Sequence, residues 1–245
     1  DYQEEAVADV LANIRKASKR WHVDGDIQAF SLTATTGAGK TVMAAAVFEA
    51  MFYGEDTFNF DADPSAVIIW FSDDPSLNEQ TRFRLMEASD KLDITDFVVV
   101  ENTFNREKFE PGKIYFLNTQ KLSKKSLLVR GHLDTADLNP DQLLLYARPD
   151  MRAYTIWDTI QNTIEDSSLT LYLVLDEAHR GMGAPDAEKS TIVKRLINGS
   201  GSVPPIPVVW GISATVKRFN DAVKEAKGRA VLPNVEVDSA KVQDS

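Results

Sequence analysis

The sequence contains no cysteine and has only three histidines in 245 residues. Without cysteine the chain forms no disulfide and offers no thiolate ligand to a metal ion. The histidines, His22, His132 and His179, are scattered along the sequence, which argues against a zinc site. Disulfide scaffolds and thiolate metal centres are therefore excluded.

Long apolar runs are also missing. None reaches the roughly 18 residues that a membrane-spanning helix needs, and the N-terminus lacks the basic and then apolar order of a signal peptide. We therefore expect a cytoplasmic protein without a membrane partner. The chain begins at Asp1 and ends in polar residues, which we interpret as a segment excised from a longer protein.

An excess of positive charge is absent as well. The chain has 27 basic and 37 acidic residues, a net charge of −10 and a pI near 4.8. This balance argues against broad, non-specific adhesion to nucleic acid. It does not exclude binding through backbone N–H groups and a few placed side chains. The 43% hydrophobic content is ample for a packed core, in one large or two small domains.

Short apolar runs alternate with helical patterns along the chain. The predicted strands are 29–33, 66–71, 97–100, 114–117, 169–175 and 207–212. The predicted helices are 2–19, 42–51, 75–91, 151–165, 187–198 and 219–227, with loops at 21–26 and 53–65 and an insertion at 121–150. This alternation predicts an α/β fold with a mostly parallel sheet covered by helices on both faces. In such sheets ligands bind beyond the carboxyl ends of the strands.

A glycine-containing turn, residues 34–41, joins the first predicted strand to a helix, and we call it the phosphate loop. Gly37 and Gly39 let the backbone curl with its N–H groups inward, and the following helix adds its positive dipole end. Lys40 can reach the β and γ phosphates of a nucleotide, and the Thr41 hydroxyl can bind Mg²⁺. The turn departs from G-x-x-x-x-G-K-[ST] at Ala34. The alternative is a turn that only joins strand to helix.

Two acidic residues, Asp176 and Glu177, end the apolar strand 169–175. Asp176 is placed to hold Mg²⁺, and Glu177 can orient or deprotonate an attacking water. The alternative is a solvated acidic turn. Another strand ends near Ser213 and Thr215, whose hydroxyls can hydrogen-bond to His179 and relay the state of the nucleotide.

Taken together, the phosphate loop, Asp176-Glu177-Ala178-His179 and Ser213-Ala214-Thr215 resemble motifs I, II and III of superfamily 2 helicases and translocases of the DEAH-box type. Alanine at the first glycine position is common there. The resemblance implies a RecA-like P-loop NTPase fold, with ATP and Mg²⁺ bound by Thr36, Gly37, Ala38, Gly39, Lys40 and Thr41. It implies a motor domain at 1–230 and a linker at 231–245 towards a second RecA-like domain.

The resemblance extends to three further segments. Tyr2 and Gln3 resemble the adenine-sensing Gln motif, in which the glutamine hydrogen-bonds to the base edge. Residues 75–80 resemble motif Ia, and Asn118, Thr119 and Gln120 resemble the Thr-Gln motif. In the family these last two motifs contact the nucleic-acid backbone, which implies contacts by Pro75, Gln80 and the 118–120 segment.

Within the superfamily the chain is most similar to the helicase subunits of type III restriction enzymes. That resemblance implies DNA rather than RNA as the track, and a modification subunit as a candidate partner. The sequence has no counterpart of motifs IV to VI, including the second-domain arginine finger, so the fragment is expected to bind ATP but hydrolyse it poorly. The alternatives are a nucleotide-gated nucleic-acid clamp and a P-loop ATPase acting on another kind of client.

Overall fold

A computed structural model describes residues 1–72, 75–132, 141, 151–176, 187–213, 217–224 and 228–237. The strands are β1 (Ile27–Ala34), β2 (Ala66–Ser72), β3 (Phe97–Val99), β4 (Lys113–Asn118), β5 (Thr170–Asp176), β6 (Val208–Ser213), β7 (Arg229–Val231) and β8 (Val235–Val237). The α-helices of these residues are α1 (Tyr2–Asp24), α2 (Lys40–Tyr53), α3 (Pro75–Glu87), α4 (Thr119–Leu122), α5 (Ile156–Glu165), α6 (Ala187–Asn198) and α7 (Lys217–Lys224). Short 3₁₀ helices lie at Asp56–Phe58 and Ile94–Asp96.

The strands form one eight-stranded sheet in the order β3-β4-β2-β5-β6-β1-β7, with β8 also paired to β1. Every strand pair among the described residues is parallel. β7 pairs with the first half of β1 and β8 with its last three residues, so both lie along the same edge of β1. The predicted RecA-like α/β fold with a mostly parallel sheet is confirmed.

Two apolar cores cover the two faces of this sheet. Alternate residues of β2 show the division: Ile68 and Trp70 belong to one core, and Val67 and Ile69 to the other. Helices α1, α2 and α3 contribute to the first core, and α5, α6 and α7 to the second. Because the central strands are buried on both faces, they are apolar throughout, as parallel strands with helices on both sides must be.

The register of the central strands aligns their carboxyl ends at one edge of the sheet. Ser72 of β2 pairs with Asn118 of β4, and it is level with Asp176 of β5 because the preceding residues of β2 and β5 pair. In turn, Asp176 pairs with Ile212, and Ser213 of β6 pairs with Thr33 of β1. The residues that follow these strands therefore meet along a single edge, which we call the carboxyl edge.

Three helix boundaries differ from the predicted ones by four or five residues, each because of a local cap. α1 continues through the predicted loop 21–26 until Gly25, whose left-handed backbone donates its N–H to Arg20 and Trp21. α3 ends at Glu87 rather than residue 91, because the Glu49 carboxylate accepts hydrogen bonds from the turn at 89–91. α5 begins at Ile156 rather than residue 151, where Thr155 and Asp158 form a capping box.

The described part of the predicted linker 231–245 packs on the sheet, and a linker towards a second domain stays a prediction. Leu232, Val235 and Val237 are buried, and β8 is part of the sheet. Asn13 donates to the Pro233 carbonyl at 2.9 Å, which ties this segment to α1. Residues 238–245 lie outside the described residues, as do 133–140 and 142–150 of the predicted insertion.

Within the described residues, no helix is both long enough and apolar enough to cross a lipid bilayer.

Candidate functional site

The phosphate loop leaves the carboxyl end of β1 and enters α2 directly. Gly37 and Gly39 have φ angles of 89° and 79°, in the left-handed region that residues with a Cβ rarely adopt. Ala34 differs, because it is the last residue of β1, pairs with Val237 and has no positive φ. Alanine therefore fits at the first position of the motif, whereas the two later glycines are required by their backbone conformation.

The N-terminus of α2 faces the loop without a protein cap. Gly39 is the N-cap residue, makes no side-chain capping bond, and no acidic residue lies in the first turn. The first N–H groups of a helix have no partner inside the helix, and the helix dipole favours an anion there. The Lys40 ammonium group donates to the Ala34 carbonyl at 3.3 Å, which places its positive charge across the loop. Backbone donors and a lysine thus converge as an anion site requires.

A cavity of about 670 Å³ opens beside this loop. Its walls come from the phosphate loop, the carboxyl ends of β2, β5 and β6, and α3. The described lining residues are Thr36, Gly37, Gly39, Lys40, Thr41, Val42, Trp70, Gln80, Thr81, Arg84, Glu87, Ala88, Asp176 and Ile212. The structure therefore brings Lys40, Thr41 and Asp176 to one cavity, although 135 or more residues separate the acid from the loop in the sequence.

The oxygen donors in this cavity suit a magnesium ion. Thr41 offers a hydroxyl and Asp176 a carboxylate, and Mg²⁺ prefers oxygen ligands while keeping several of its waters. Lys40 in the same cavity suits the phosphate oxygens that such an ion would share. The residues present therefore fit both a polyphosphate and its magnesium, and the ligand roles of Thr41 and Asp176 stay predictions.

Tyr2 and Gln3 reach the loop from the first turn of α1. The Gln3 amide donates to the Ala38 carbonyl at 3.1 Å and to the Tyr2 hydroxyl at 3.4 Å. A Cβ at Gly39 would overlap the Gln3 amide nitrogen. Neither Tyr2 nor Gln3 lines the cavity. Gln3 contacts the phosphate loop at Ala38, Tyr2 contacts Gln3, and recognition of a base by Gln3 stays a prediction.

The coupling residues are only partly described. Ser213 is buried at the end of β6, where it pairs with Thr33 of the strand that leads into the phosphate loop. Glu177, His179 and Thr215 lie outside the described residues. The predicted relay from His179 to Ser213 and Thr215 therefore stays a prediction.

The two residues predicted from motif Ia occupy different surroundings. Pro75 is exposed at the start of α3. Gln80 is one turn further along and lines the cavity beside the phosphate loop. Because Gln80 faces the same space as Lys40, its surroundings differ from those expected of a residue dedicated to a nucleic-acid backbone. Contact of either residue with nucleic acid stays a prediction.

The Thr-Gln segment lies at the end of β4. Asn118 is buried, and its side-chain oxygen accepts from the Lys121 backbone N–H at 3.0 Å, so it caps α4. The Thr119 hydroxyl is buried and has no hydrogen-bond partner among the described residues, and Gln120 is exposed. Asn118 therefore has a structural role that the sequence analysis did not assign, and Gln120 is the member of the segment that faces solvent.

Sequence reasoning missed several residues that line the cavity from α3. Thr81, Arg84 and Glu87 belong to the helix that was predicted, but none was assigned to a site. Arg84 is four residues after Gln80 and three after Thr81, and Glu87 is three after Arg84, which is the spacing of one helix face. That spacing is the signal from which they could have been found, provided that the side of α3 facing the phosphate loop had been known.

Comparison with known families identifies the class of protein. The family described as "Type III restriction enzyme, res subunit" matches residues 1–218. The chain belongs to this family. Membership makes it a superfamily 2 helicase-type domain, and the res-subunit match covers every described residue that lines the cavity. No match was found among curated protein sequences.

Solved structures similar to this res-family chain are longer proteins. One is a nuclease-deletion mutant of the type ISP restriction-modification enzyme LlaGI in complex with a DNA substrate mimic. It is 16% identical, with a TM-score of 0.49, and the match covers 100% of this chain and 20% of that chain. S. cerevisiae Dbp5 bound to RNA and ADP BeF3 is also 16% identical, with a TM-score of 0.45, and the match covers 91% of this chain and 45% of that chain. The DUF1998 helicase MrfA bound to DNA is 15% identical, with a TM-score of 0.46, and the match covers 97% of this chain and 25% of that chain. The chain spans less than half of each of these proteins.

Proposed function

We propose that this chain is the ATP-binding motor domain of an ATP-dependent DNA helicase or translocase, related to the restriction subunit of type III enzymes. The observation that carries the proposal is the convergence of Lys40, Thr41 and Asp176 on one cavity beside an uncapped helix N-terminus. Family membership supports the same reaction class. The Asp-Glu-Ala-His order at 176–179 supports a DEAH-type motor.

Each residue of the proposed site has a distinct task in ATP hydrolysis. The loop N–H groups and Lys40 bind and neutralise the β and γ phosphates. Thr41 and Asp176 hold the magnesium ion, which when bound polarises the phosphate oxygens. Glu177 follows Asp176 directly in the sequence and is assigned to orient and deprotonate the attacking water. Gln3, at the far side of the loop, is assigned to the adenine base.

Nucleic acid is assigned to the carboxyl edge at β2 and β4. Pro75 and Gln120 are exposed there, and the restriction-enzyme relationship favours DNA over RNA as the track. His179, Ser213 and Thr215 are assigned to couple the nucleotide to this surface. A second RecA-like domain is the proposed source of the missing arginine, so the chain alone is expected to bind ATP and hydrolyse it slowly.

Magnesium-dependent nucleotide binding tests the proposal on the chain itself. Titration calorimetry with a non-hydrolysable ATP analogue is expected to show at least about tenfold tighter binding with Mg²⁺ than with a chelator, since one divalent ion joins protein and phosphate. Asp176→Asn is expected to abolish most of that difference while leaving metal-free binding unchanged. Equal magnesium dependence in both proteins would refute the metal assignment.

Turnover in the full-length protein tests the motor assignment. Glu177→Gln is expected to leave ATP bound and to abolish hydrolysis, because the water loses its base. DNA is expected to stimulate wild-type hydrolysis more than RNA of equal length. Stimulation without strand displacement or translocation would favour a nucleotide-gated clamp. Stimulation by neither nucleic acid would favour a client of another kind.

A further inference from the structure

Arg84 is a second cation in the cavity that holds the phosphate loop. It lies on α3 and lines the same cavity as Lys40 and Thr41 of the phosphate loop and Asp176 at the end of β5. Its neighbours on the same helix face are Gln80 and Glu87, which also line the cavity. The cavity is therefore bounded by positively charged side chains on two separate elements.

The position of the cavity indicates which part of a nucleotide it accepts. Thr41 and Asp176, the candidate magnesium ligands, line it, whereas Tyr2 and Gln3 on the base side do not. Magnesium in such sites bridges the β and γ phosphates. A terminal phosphate whose metal was held by Thr41 and Asp176 would therefore lie in the cavity that Arg84 also lines.

Both ends of α3 are fixed to neighbouring elements, so the helix presents Arg84 at a defined position. Near its start, the buried Asn78 accepts from the Ser72 hydroxyl and donates to the Leu117 carbonyl at 3.3 Å. Just beyond its end, the Glu49 carboxylate of α2 accepts from the Ser89 hydroxyl at 2.8 Å and from two backbone N–H groups at 3.0 Å. Glu49 thereby connects α3 to the helix that follows the phosphate loop.

The Arg84 guanidinium is available for a ligand. It is exposed to the cavity and makes no ion pair with another described residue, whereas Arg82 on the same helix pairs with Glu79 at 3.0 Å. A guanidinium presents planar paired donors that match phosphate oxygens and stays charged at every physiological pH. The chain has a net charge of −10, so most of its surface repels anions. Arg84 makes no ion pair among the described residues, and it therefore attracts an anion to this cavity.

We infer that Arg84 is a phosphate-binding residue that distinguishes a nucleoside triphosphate from a diphosphate. It binds the terminal phosphate from the α3 side while Lys40 binds it from the loop side. The inference rests on the proposed function, because it assumes that the cavity holds a nucleotide. It assigns to this domain a sensor for the γ phosphate that does not depend on a second domain.

The test compares nucleotide affinities of Arg84→Ala and the unchanged chain by titration calorimetry. With Mg²⁺ present, the variant is expected to bind a non-hydrolysable ATP analogue about tenfold more weakly, as loss of one charge-assisted phosphate contact predicts. Its affinity for ADP is expected to change less than about twofold, since ADP lacks the terminal phosphate. Arg84→Lys, which keeps the charge without the planar donors, is expected to fall between the two.

Two further variants separate a direct contact from a general effect of charge. Arg82→Ala removes the same charge from the same helix outside the cavity, and it is expected to change ATP affinity less than about twofold. Glu87→Gln removes a negative charge from the cavity wall and is expected to strengthen ATP binding. Unchanged circular dichroism and thermal midpoints would show that Arg84→Ala folds normally.

The outcomes distinguish this inference from the proposed function. If Arg84→Ala binds ATP like the unchanged chain while Lys40→Ala loses affinity, the inference is wrong and the proposed function stands. An equal loss for ATP and ADP would also overturn it, and so would an effect on DNA binding alone. If the unchanged chain binds neither nucleotide, the inference and the proposed function are both wrong.

Discussion

The two edges of the sheet use polar side chains in opposite ways. The opposite ends of the strands, where β1 and β5 begin, form what we call the amino edge. There the buried Arg229 donates to four backbone carbonyls, those of Gln28, Ile197, Ile206 and Pro207. There too, the Tyr172 hydroxyl donates to the Asp63 carboxylate at 2.9 Å, and His22 and Thr170 are hydrogen-bonded at 2.7 Å. At the carboxyl edge Lys40, Thr41, Arg84 and Asp176 line an open cavity.

The difference separates stability from binding within one domain. A buried polar group whose partners are all within the chain stabilises the fold, and removing it leaves those partners unsatisfied. A polar group that lines an open cavity is partly exposed to solvent, so removing it costs less stability than removing a buried one. Substitutions at the amino edge should therefore change the free energy of unfolding, and those at the carboxyl edge should change affinity.

Replacing Arg229 with methionine should have the largest effect. Methionine has a similar length but no hydrogen-bond donor. The four carbonyls therefore lose a charged partner in a buried site. We expect the free energy of unfolding to fall by about 3 kcal/mol, measured by urea denaturation. Nucleotide affinity of the folded protein should not change. A fall in affinity without a fall in stability would reverse the assignment of this edge.

Lys40→Ala should have the opposite pattern. Loss of a charge-assisted contact to phosphate is expected to weaken ATP binding about 100-fold, which is about 2.7 kcal/mol. Because Lys40 is partly exposed, the free energy of unfolding should change by less than about 0.5 kcal/mol. Lys16→Ala, which removes the same charge from an exposed position on α1, is the control and should change neither quantity.

Alanine at Gly39 should combine strain and steric clash. The positive φ costs about 1–2 kcal/mol for a residue with a Cβ, and the new Cβ would approach the Gln3 amide. Gly37→Ala has the same strain but meets no atom within 4 Å. We expect Gly39→Ala to weaken ATP binding more than Gly37→Ala in calorimetric titrations. Measured against Gln3→Ala alone, Gly39→Ala should weaken binding no more than Gly37→Ala does, and a larger loss would argue against the clash.

Tyr172→Phe should have the smallest effect near neutral pH, about 1 kcal/mol for the lost hydrogen bond to Asp63. Burial, followed by the Asp63 charge, raises the pKa of Tyr172 above its ordinary value of 10.0. The unfolded chain therefore loses this proton at lower pH than the folded protein, so the stabilisation is complete below about pH 10 and decreases above it. Denaturation between pH 9 and 11 should show a shallower decline for the variant than for the unchanged chain. Equal declines would contradict the assignment.

The sequence predicted best where the chemistry is local. Gly37 and Gly39 mark a loop because their backbone needs a positive φ, and Asp176 marks a strand end because an acid follows an apolar run. Parallel strands then bring these segments together without further information, since their carboxyl ends share one edge. For this reason the sequence was sufficient to predict that Lys40 and Asp176 lie in the same cavity.

Long-range pairing and helix orientation could not be predicted in this way. β7 and β8 have three residues each. They form strands because they pair with the free side of β1, which lies more than 200 positions earlier in the chain. Gln80 and Arg84 lie on a helix that was predicted correctly, but their exposure to the cavity depends on how α3 crosses the sheet. Asn118 was predicted to contact nucleic acid, and its role as the cap of the short helix α4 was not predicted.

The pairing of β8 with β1 has a mechanical consequence. Val237 lies directly opposite Ala34, the residue from which the phosphate loop begins, and both strands run in the same direction. Tension along the backbone beyond Val237 therefore acts on the hydrogen bonds beside Ala34 before it reaches any central strand. A displacement of Val237 would therefore be transmitted directly to Ala34, at the start of the phosphate loop.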